Sequence, residues 1–260
     1  MESLRDAWRF DGHGSLKPVQ EMLAQEEAWT IRLNGAELVT LILTPTDLED
    51  LAYGYLANEG LIETAQEVSI LVIDPVERQI WVRAPTLRVD PAALGRRILT
   101  SCCGRGRPGL YFLNDGNIAP VDDPSTLPAG AVSRLVDALD AAAGAFRATG
   151  GVHSAALAHG ERLIAVRSDV GRHNALDKLR GFMLREGWTG PGSAVVFSGR
   201  ISAEIVVKVA RMRIPFVLSN AAPTSLGRDL ADELGVTAVG FARQGRFNLY
   251  THPERMVPPG

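Results

Sequence analysis

Two short apolar runs, residues 29–33 and 38–43, flank Asn34-Gly35. They read as a β-hairpin, because Asn-Gly supplies the positive φ values of a tight turn. Thr46-Asp47-Leu48-Glu49 has the form of a capping box, in which hydroxyl and carboxylate satisfy backbone donors at the start of a helix. That helix is expected to run to about residue 56. Residues 68–73 and 79–82 flank Asp74-Pro75 as a second hairpin. Asp90-Pro91 offers an N-cap and a first-turn proline for a short helix to residue 99. Further on, Leu135, Leu139 and Ala142 repeat at helical spacing within residues 131–148. Two strands, 152–158 and 162–167, join at His159-Gly160. The pattern then alternates: helix 174–185, strand 194–197, helix 202–212, strand 215–218, helix 224–234, strand 237–241. Such alternation predicts a largely parallel sheet covered by helices.

The expected architecture is therefore α/β. A domain with a mainly parallel sheet occupies residues 131–260, and a smaller α+β domain occupies 17–113. Residues 1–16 read as a flexible arm. Residues 114–130 read as an exposed linker, since 114–128 hold five Asp or Asn and three Pro.

At 260 residues the chain is long enough for one large or two small domains. With 46% apolar and 22% charged residues, it needs no staples to build a core. The two cysteines, Cys102 and Cys103, are adjacent. That excludes a disulfide framework and a cysteine-rich structural zinc site, and points to a reducing, cytoplasmic setting. No stretch of 18 or so apolar residues is present and the N-terminus is polar, so neither a membrane span nor export is expected. The net charge of −3 hides an asymmetry. Residues 1–130 carry 11 basic and 19 acidic side chains, and residues 131–260 carry 16 and 11. Arg83, Arg88, Arg96, Arg97, Arg105 and Arg107 surround the cysteines against Asp90 alone. These surfaces suit a small anionic ligand and are too weakly basic for duplex nucleic acid.

The unusual polar residues collect just after the strands. They are Ser168 to Asn174 with Arg172 and His173, then Ser198-Gly199-Arg200, then Ser219-Asn220, then Arg243-Gln244-Gly245-Arg246. In open α/β sheets ligands bind outside the carboxyl ends of strands, where helix N-termini present free N–H groups. Arginines there can grip phosphate oxygens bidentately. Turn and cap roles explain any one of these loops; four at one rim favour a phosphate-type site. His153, after Gly150-Gly151, is a further candidate. Asp177 with Lys178, and Glu204 with Lys208, read as a solvated helix face or local salt bridges. Gly-x-Gly-x-x-Gly occurs at 104–109, but after a helix and before an apolar run, the reverse of a dinucleotide fingerprint.

Residues 100–109 hold both cysteines, three glycines and a proline. Glycine gives access, and Arg105 and Arg107 favour thiolate, so the loop can hold a nucleophile or a sulfur carrier.

Several segments resemble the FdhD family of formate dehydrogenase accessory sulfurtransferases. They are Thr149-Gly150-Gly151-Val152-His153, the run from Asp169 to Lys178, Ser198 to Glu204, Ala222-Pro223-Thr224, and Gly240 to Arg246. The resemblance implies a homodimer whose C-terminal half has a cytidine deaminase-like, three-layer fold. It implies an enzyme that takes sulfur from a cysteine desulfurase as a cysteine persulfide. The sulfur goes to molybdenum (or tungsten) bis-molybdopterin guanine dinucleotide, bound as substrate, before the cofactor enters formate dehydrogenase. The family's persulfide cysteine falls on Cys103, assisted by Cys102. Its cofactor-contacting segment falls on Phe241, Ala242, Arg243, Gln244, Gly245 and Arg246. No tightly bound metal, nucleic acid or membrane partner is implied. Where many members carry Cys-x-x-Cys, this chain has Gly106 in the second place, and its extra thiol is Cys102. Two other functions fit parts of the pattern. A zinc nucleoside deaminase needs His-x-Glu, whereas the sequence at His153 is His-Ser-Ala. A non-catalytic chaperone that holds the molybdenum cofactor would need the rim and not the cysteines.

Overall fold

The computed structural model describes residues 2–88 and 118–258. Residues 102 and 103, the expected helix at 90–99 and the Gly/Arg-rich loop around the cysteines lie outside the described residues.

The chain begins with an antiparallel ribbon of β1 (Glu2–Phe10) and β2 (Leu16–Ala24). Most of residues 1–16, expected as a loose arm, is thus strand. Its turn is tied by Asp11, whose carboxylate accepts from the amides of His13 (2.9 Å) and Ser15 (3.2 Å). In register, Trp8 faces Pro18 and Phe10 faces Leu16, and Trp8, Phe10 and Leu16 remain exposed.

β3 (Glu27–Leu33) and β4 (Ala36–Leu43) form the expected hairpin, with Asn34 and Gly35 at positive φ. α1 (Leu48–Asn58) follows. The expected capping box does not form: Asp47 takes a left-handed conformation, and the Thr46 hydroxyl lies instead 3.5 Å from Lys178 Nζ. β5 (Ile70–Asp74) and β6 (Gln79–Arg83) make the second hairpin. The four strands form one sheet in the order β4-β3-β6-β5, with β3 and β6 parallel. Alternation along them puts Trp29, Ile31, Leu33, Ile80 and Val82 on one face, against Leu51 and Leu56 of α1. Each such fully buried side chain contributes ~1.5–3 kcal/mol.

The described part of the expected linker is not exposed throughout. Val121 and Asp123 are buried, and β7 (Leu127–Pro128) pairs with β14 (Met256–Val257) near the chain's other end. Asp123 accepts from the amides of Ser125 (2.7 Å) and Gly192 (2.9 Å), which hold it below the ordinary carboxylate range despite the opposing effect of burial. The helical run after it breaks at Ala143 into α2 (Ala129–Ala142) and α3 (Gly144–Thr149).

β8 (His153–His159), β9 (Arg162–Asp169), α4 (Arg172–Arg185), β10 (Ser193–Phe197), α5 (Ala203–Arg211), β11 (Phe216–Ser219), α6 (Ser225–Glu233) and β12 (Thr237–Arg243) follow the expected order. A further strand, β13 (Arg246–Leu249), turns back on β12. The six-stranded sheet runs β13-β12-β11-β10-β8-β9. It is mixed rather than mainly parallel. β10-β11 and β11-β12 are parallel pairs, whereas β8-β10, β8-β9 and β12-β13 are antiparallel. The physical reason is loop length: two-residue hairpin turns, Gly160-Glu161 between β8 and β9 and Gln244-Gly245 between β12 and β13, reverse the chain, and the helical crossovers do not. One face of the sheet packs against α4, α5 and α6, and the other against α2, giving three layers. β10 is buried at all five positions, as a central strand covered on both faces must be.

The two units meet where α1 crosses α4. A Cβ at Gly54 would lie 1.6 Å from the Asp177 carbonyl oxygen, and one at Gly181 1.8 Å from that of Asp50. The absent side chains let the helix backbones touch. Buried charges bridge the same boundary. Asp50 is held by Arg167 and Arg185, each at 2.7 Å. Asp177 accepts from Asn58 (2.7 Å) and pairs with Lys208.

Candidate functional site

Register places the predicted rim residues on one edge of the six-stranded sheet. His153 at the start of β8 faces Asp169 at the end of β9. Phe197 at the end of β10 pairs with Ala155 on one side and Ser219 on the other. On β12, Val239 pairs with Leu218, so Gly240 to Arg246 extend past this edge. α4 and α5 begin from the loops that leave it, so their unsatisfied amides and partial positive charge are presented there.

The run from Asp169 to Lys178 divides between site and scaffold. Asp169 is fully buried. Its carboxylate accepts from the amides of Gly171 (2.8 Å) and Thr44 (3.1 Å), from Asn174 Nδ2 (3.0 Å), and pairs with Lys178 Nζ at 2.7 Å. Lys178 Nζ also donates to the carbonyls of Thr44 (2.9 Å) and Ser168 (3.2 Å). Asp177 and Lys178, expected on a solvated helix face or in local salt bridges, are buried under α1 and the end of β4, and each makes an ion pair, with Lys208 and Asp169 respectively. Arg172 and His173 occupy the first turn of α4 on the open side. His173 Nε2 lies 2.8 Å from Glu204 Oε2. Glu204 therefore belongs to the rim, a role its four-residue spacing from Lys208 concealed.

His153 is partly buried. Burial pushes its imidazole below the ordinary histidine value, the charges of Arg172 and His173 push it further, and Asp169 opposes them. It is neutral at physiological pH and can accept or donate a single hydrogen bond to a ligand.

Two candidate serines are used by the scaffold. Ser198 Oγ accepts from the amide of Ser154 at 2.9 Å. Ser219 Oγ, fully buried, donates to the Gly199 carbonyl at 2.8 Å and accepts from the Ala221 amide at 3.0 Å. These bonds hold the loops after β10 and β11 in place. Gly199 allows the loop to pass closely: a Cβ there would meet the Phe197 ring at 2.7 Å and Arg172 Cδ at 3.6 Å. Arg172 therefore lies along the Ser198-Gly199-Arg200 turn. Arg200 is exposed and Asn220 half-buried.

Past the edge, β12 is irregular. Phe241 takes a positive φ of 53° at the register shift between Gly240 and Arg243, and is 40% exposed, while Ala242 is fully buried. A bulge of this kind re-aims side chains at sheet rims. Gln244 and Gly245, both at positive φ, form the turn to β13 and set Arg243 opposite Arg246. Like charges facing each other in a hairpin are unfavourable by themselves and are relieved by an anion between them. The arrangement is chemically an anion cradle: exposed guanidiniums of Arg200, Arg243 and Arg246, with Arg172 and two helix starts behind them.

The sequence pattern of the FdhD/NarQ family matches residues 24–257. The chain belongs to the FdhD/NarQ family. The sulfur carrier protein FdhD of Bacillus subtilis (strain 168) is 40% identical over 259 residues, spanning 98% of this chain and 97% of its own. The protein of the same name from Shouchella clausii (strain KSM-K16) is 42% identical over 260 residues, with the same coverage. A crystal structure from Desulfotalea psychrophila, described as a formate dehydrogenase accessory protein, superposes with a TM-score of 0.79 at 28% identity. The match covers 98% of this chain and 99% of that one. The family match includes Cys102 and Cys103, although both lie outside the described residues. Among the described residues no helix is long and apolar enough to cross a membrane.

Proposed function

We propose that this FdhD/NarQ family member is a sulfur carrier for formate dehydrogenase. In this reading Cys103 takes sulfur from a cysteine desulfurase and passes it to molybdenum (or tungsten) bis-molybdopterin guanine dinucleotide, held at the rim as substrate. The observation that carries the reading is the set of arginines converging on one sheet edge, in a chain about 40% identical to curated sulfur carriers. A guanine dinucleotide brings pyrophosphates, and such an edge suits them. In the loading step the Cys103 thiolate attacks the terminal sulfur of the donor's persulfide. The new S–S bond forms as the donor's S–S bond breaks, and the donor leaves as thiolate, so no outside oxidant is needed. Arg105 and Arg107 favour the thiolate that this step requires. Cytoplasmic location, homodimer assembly and a cytidine deaminase-like kinship of the three-layer unit belong to the same reading.

Intact-mass analysis after incubation with a cysteine desulfurase and cysteine tests it. The expected result is one added sulfur, mapped to Cys103, and its loss in Cys103→Ala. That variant should still bind guanosine diphosphate and fail to activate formate dehydrogenase. Full activation by Cys103→Ala would overturn the sulfur-carrier reading in favour of a cofactor-holding chaperone, for which the glycine at 106 already speaks.

A further inference from the structure

A second basic site lies at the other end of α4 and α5 from the rim. A cavity of about 240 Å³ is lined by Arg88, Arg180, Arg211 and Arg213, with Glu63 as the one acidic lining residue among the described residues. Arg180 is eight positions after Arg172 on α4, which is ~12 Å along the helix axis, so the cavity is separate from the rim. Arg211 ends α5, and Arg213 follows it in a left-handed conformation, φ 58°, with its side chain exposed.

Local features bring these cations together. Gly60, at φ 75°, has no Cβ; one built there would lie 3.0 Å from an Arg211 guanidinium nitrogen. The missing Cβ leaves room for the Arg211 guanidinium beside the Gly60 backbone. Arg88 is fixed by Glu63 at 2.8 Å and Glu67 at 2.9 Å, and its amide donates to the Leu61 carbonyl at 3.1 Å. The lining acid Glu63 thus makes its ion pair with Arg88. Arg180 enters from α4, and its Nε is buried without a hydrogen-bond acceptor. Burial pushes its guanidinium down to about 10, with Glu63 opposing and Arg211 adding to the shift. It remains charged at neutral pH, with its Nε facing no acceptor.

We infer that this cavity is a binding site for a small phosphate-type oxyanion, distinct from the cofactor rim. One guanidinium matches a carboxylate, whereas several converging from different elements match a tetrahedral anion with more acceptor oxygens. The volume falls below the ~300–1,000 Å³ of drug-sized ligand pockets and fits an ion or a phosphoryl group. The site does not depend on the sulfur-carrier reading.

The test is calorimetric titration of inorganic phosphate into the full chain carrying Arg243→Ala and Arg246→Ala, which removes rim arginines and leaves the cavity intact. Saturable binding with one site per chain and a Kd below about 1 mM is expected. Adding Arg213→Gln, at an exposed position, should weaken it at least tenfold, and Arg180→Gln should do the same. Absence of saturable binding, or affinity unchanged by Arg213→Gln, overturns the inference whether or not Arg180→Gln folds. Phenyl phosphate as second titrant separates the two sources of this chemistry. Binding of both titrants supports a phosphoryl group on a larger ligand, and binding of inorganic phosphate alone supports the free anion.

Discussion

Gly54→Ala is the sharpest probe of how the two units are joined. In an isolated helix the change is favourable by about 1 kcal/mol, because alanine loses less backbone freedom than glycine on folding. Here the new Cβ would fall 1.6 Å from the Asp177 carbonyl oxygen, where ordinary contact begins at 3.4 Å. The obstacle is helix backbone, which cannot swing aside as a side chain does, so α1 and α4 must part by about 2 Å. Overpacking alone costs ~1–3 kcal/mol. Parting the helices also loosens the buried bonds of Asp50, Asp169 and Asp177, each of which joins the two units or packs beside the crossing. The net expectation is a loss of ~2–4 kcal/mol after the helix-propensity gain. For a chain of this size that lowers Tm by about 5–12 °C. Thermal and urea unfolding followed by tryptophan fluorescence measure it, since Trp29 is buried in the core of the first unit. Gly144→Ala, where a Cβ meets nothing within 4 Å, is the control and should change stability by less than ~0.5 kcal/mol. A Gly54→Ala protein as stable as the parent would refute the crossing.

Three further outcomes are expected. Lys178→Met leaves Asp169 as a buried, uncompensated charge and should cost ~3–5 kcal/mol in urea titration, part of it recovered in Lys178→Met/Asp169→Asn; equal loss in the single and double variants would speak against the pair. His153 is held neutral in the folded protein to lower pH than in the unfolded chain, which titrates near 6.5. Below that pH the unfolded state binds the extra proton, so this residue's contribution is complete above pH 6.5 and declines as pH falls through and below it. The stability advantage of the parent over His153→Gln should therefore shrink between about pH 7.5 and 5.5, and a constant gap would count against the assignment. Arg243→Ala and Arg246→Ala should each weaken guanosine diphosphate binding ~10–100-fold by removing a charged donor, and unchanged calorimetric affinity for both would show that the rim does not hold the nucleotide.

Most local elements were legible because they follow from nearest neighbours along the chain. Asn34-Gly35 specifies its own turn, and of the three helix–strand alternations after Asn174 two carry a glycine stop, at Gly187 and Gly235. The rim was legible for the same reason, since polar residues after successive strands must emerge at related edges. Failures came where a distant segment competed for a local signal. Thr46 could not complete its capping box with Glu49 because Asp47 turned left-handed, and the hydroxyl came to face Lys178. Asp177 and Lys178 read as a solvated helix face or local salt bridges, but α1 covers them and only the ion pairs survive. Ser198 and Ser219 had the right chemistry for a ligand and were used by backbone amides and carbonyls instead.

The sequence by itself determined the order of elements, the arginine-bearing loops and the adjacent thiols with their basic neighbours, because each is a property of a few consecutive residues. Tertiary structure decided how the strands are ordered in each sheet, which charges are buried and where Arg88, Arg180 and the pair at the end of α5 meet. Several of those outcomes depend on partners more than a hundred positions apart. Thr44 with Asp169 is one such pair, and Gly54 with Asp177 is another. No local spacing encodes how closely such segments approach, and that distance sets whether a charge is solvated or must find a partner.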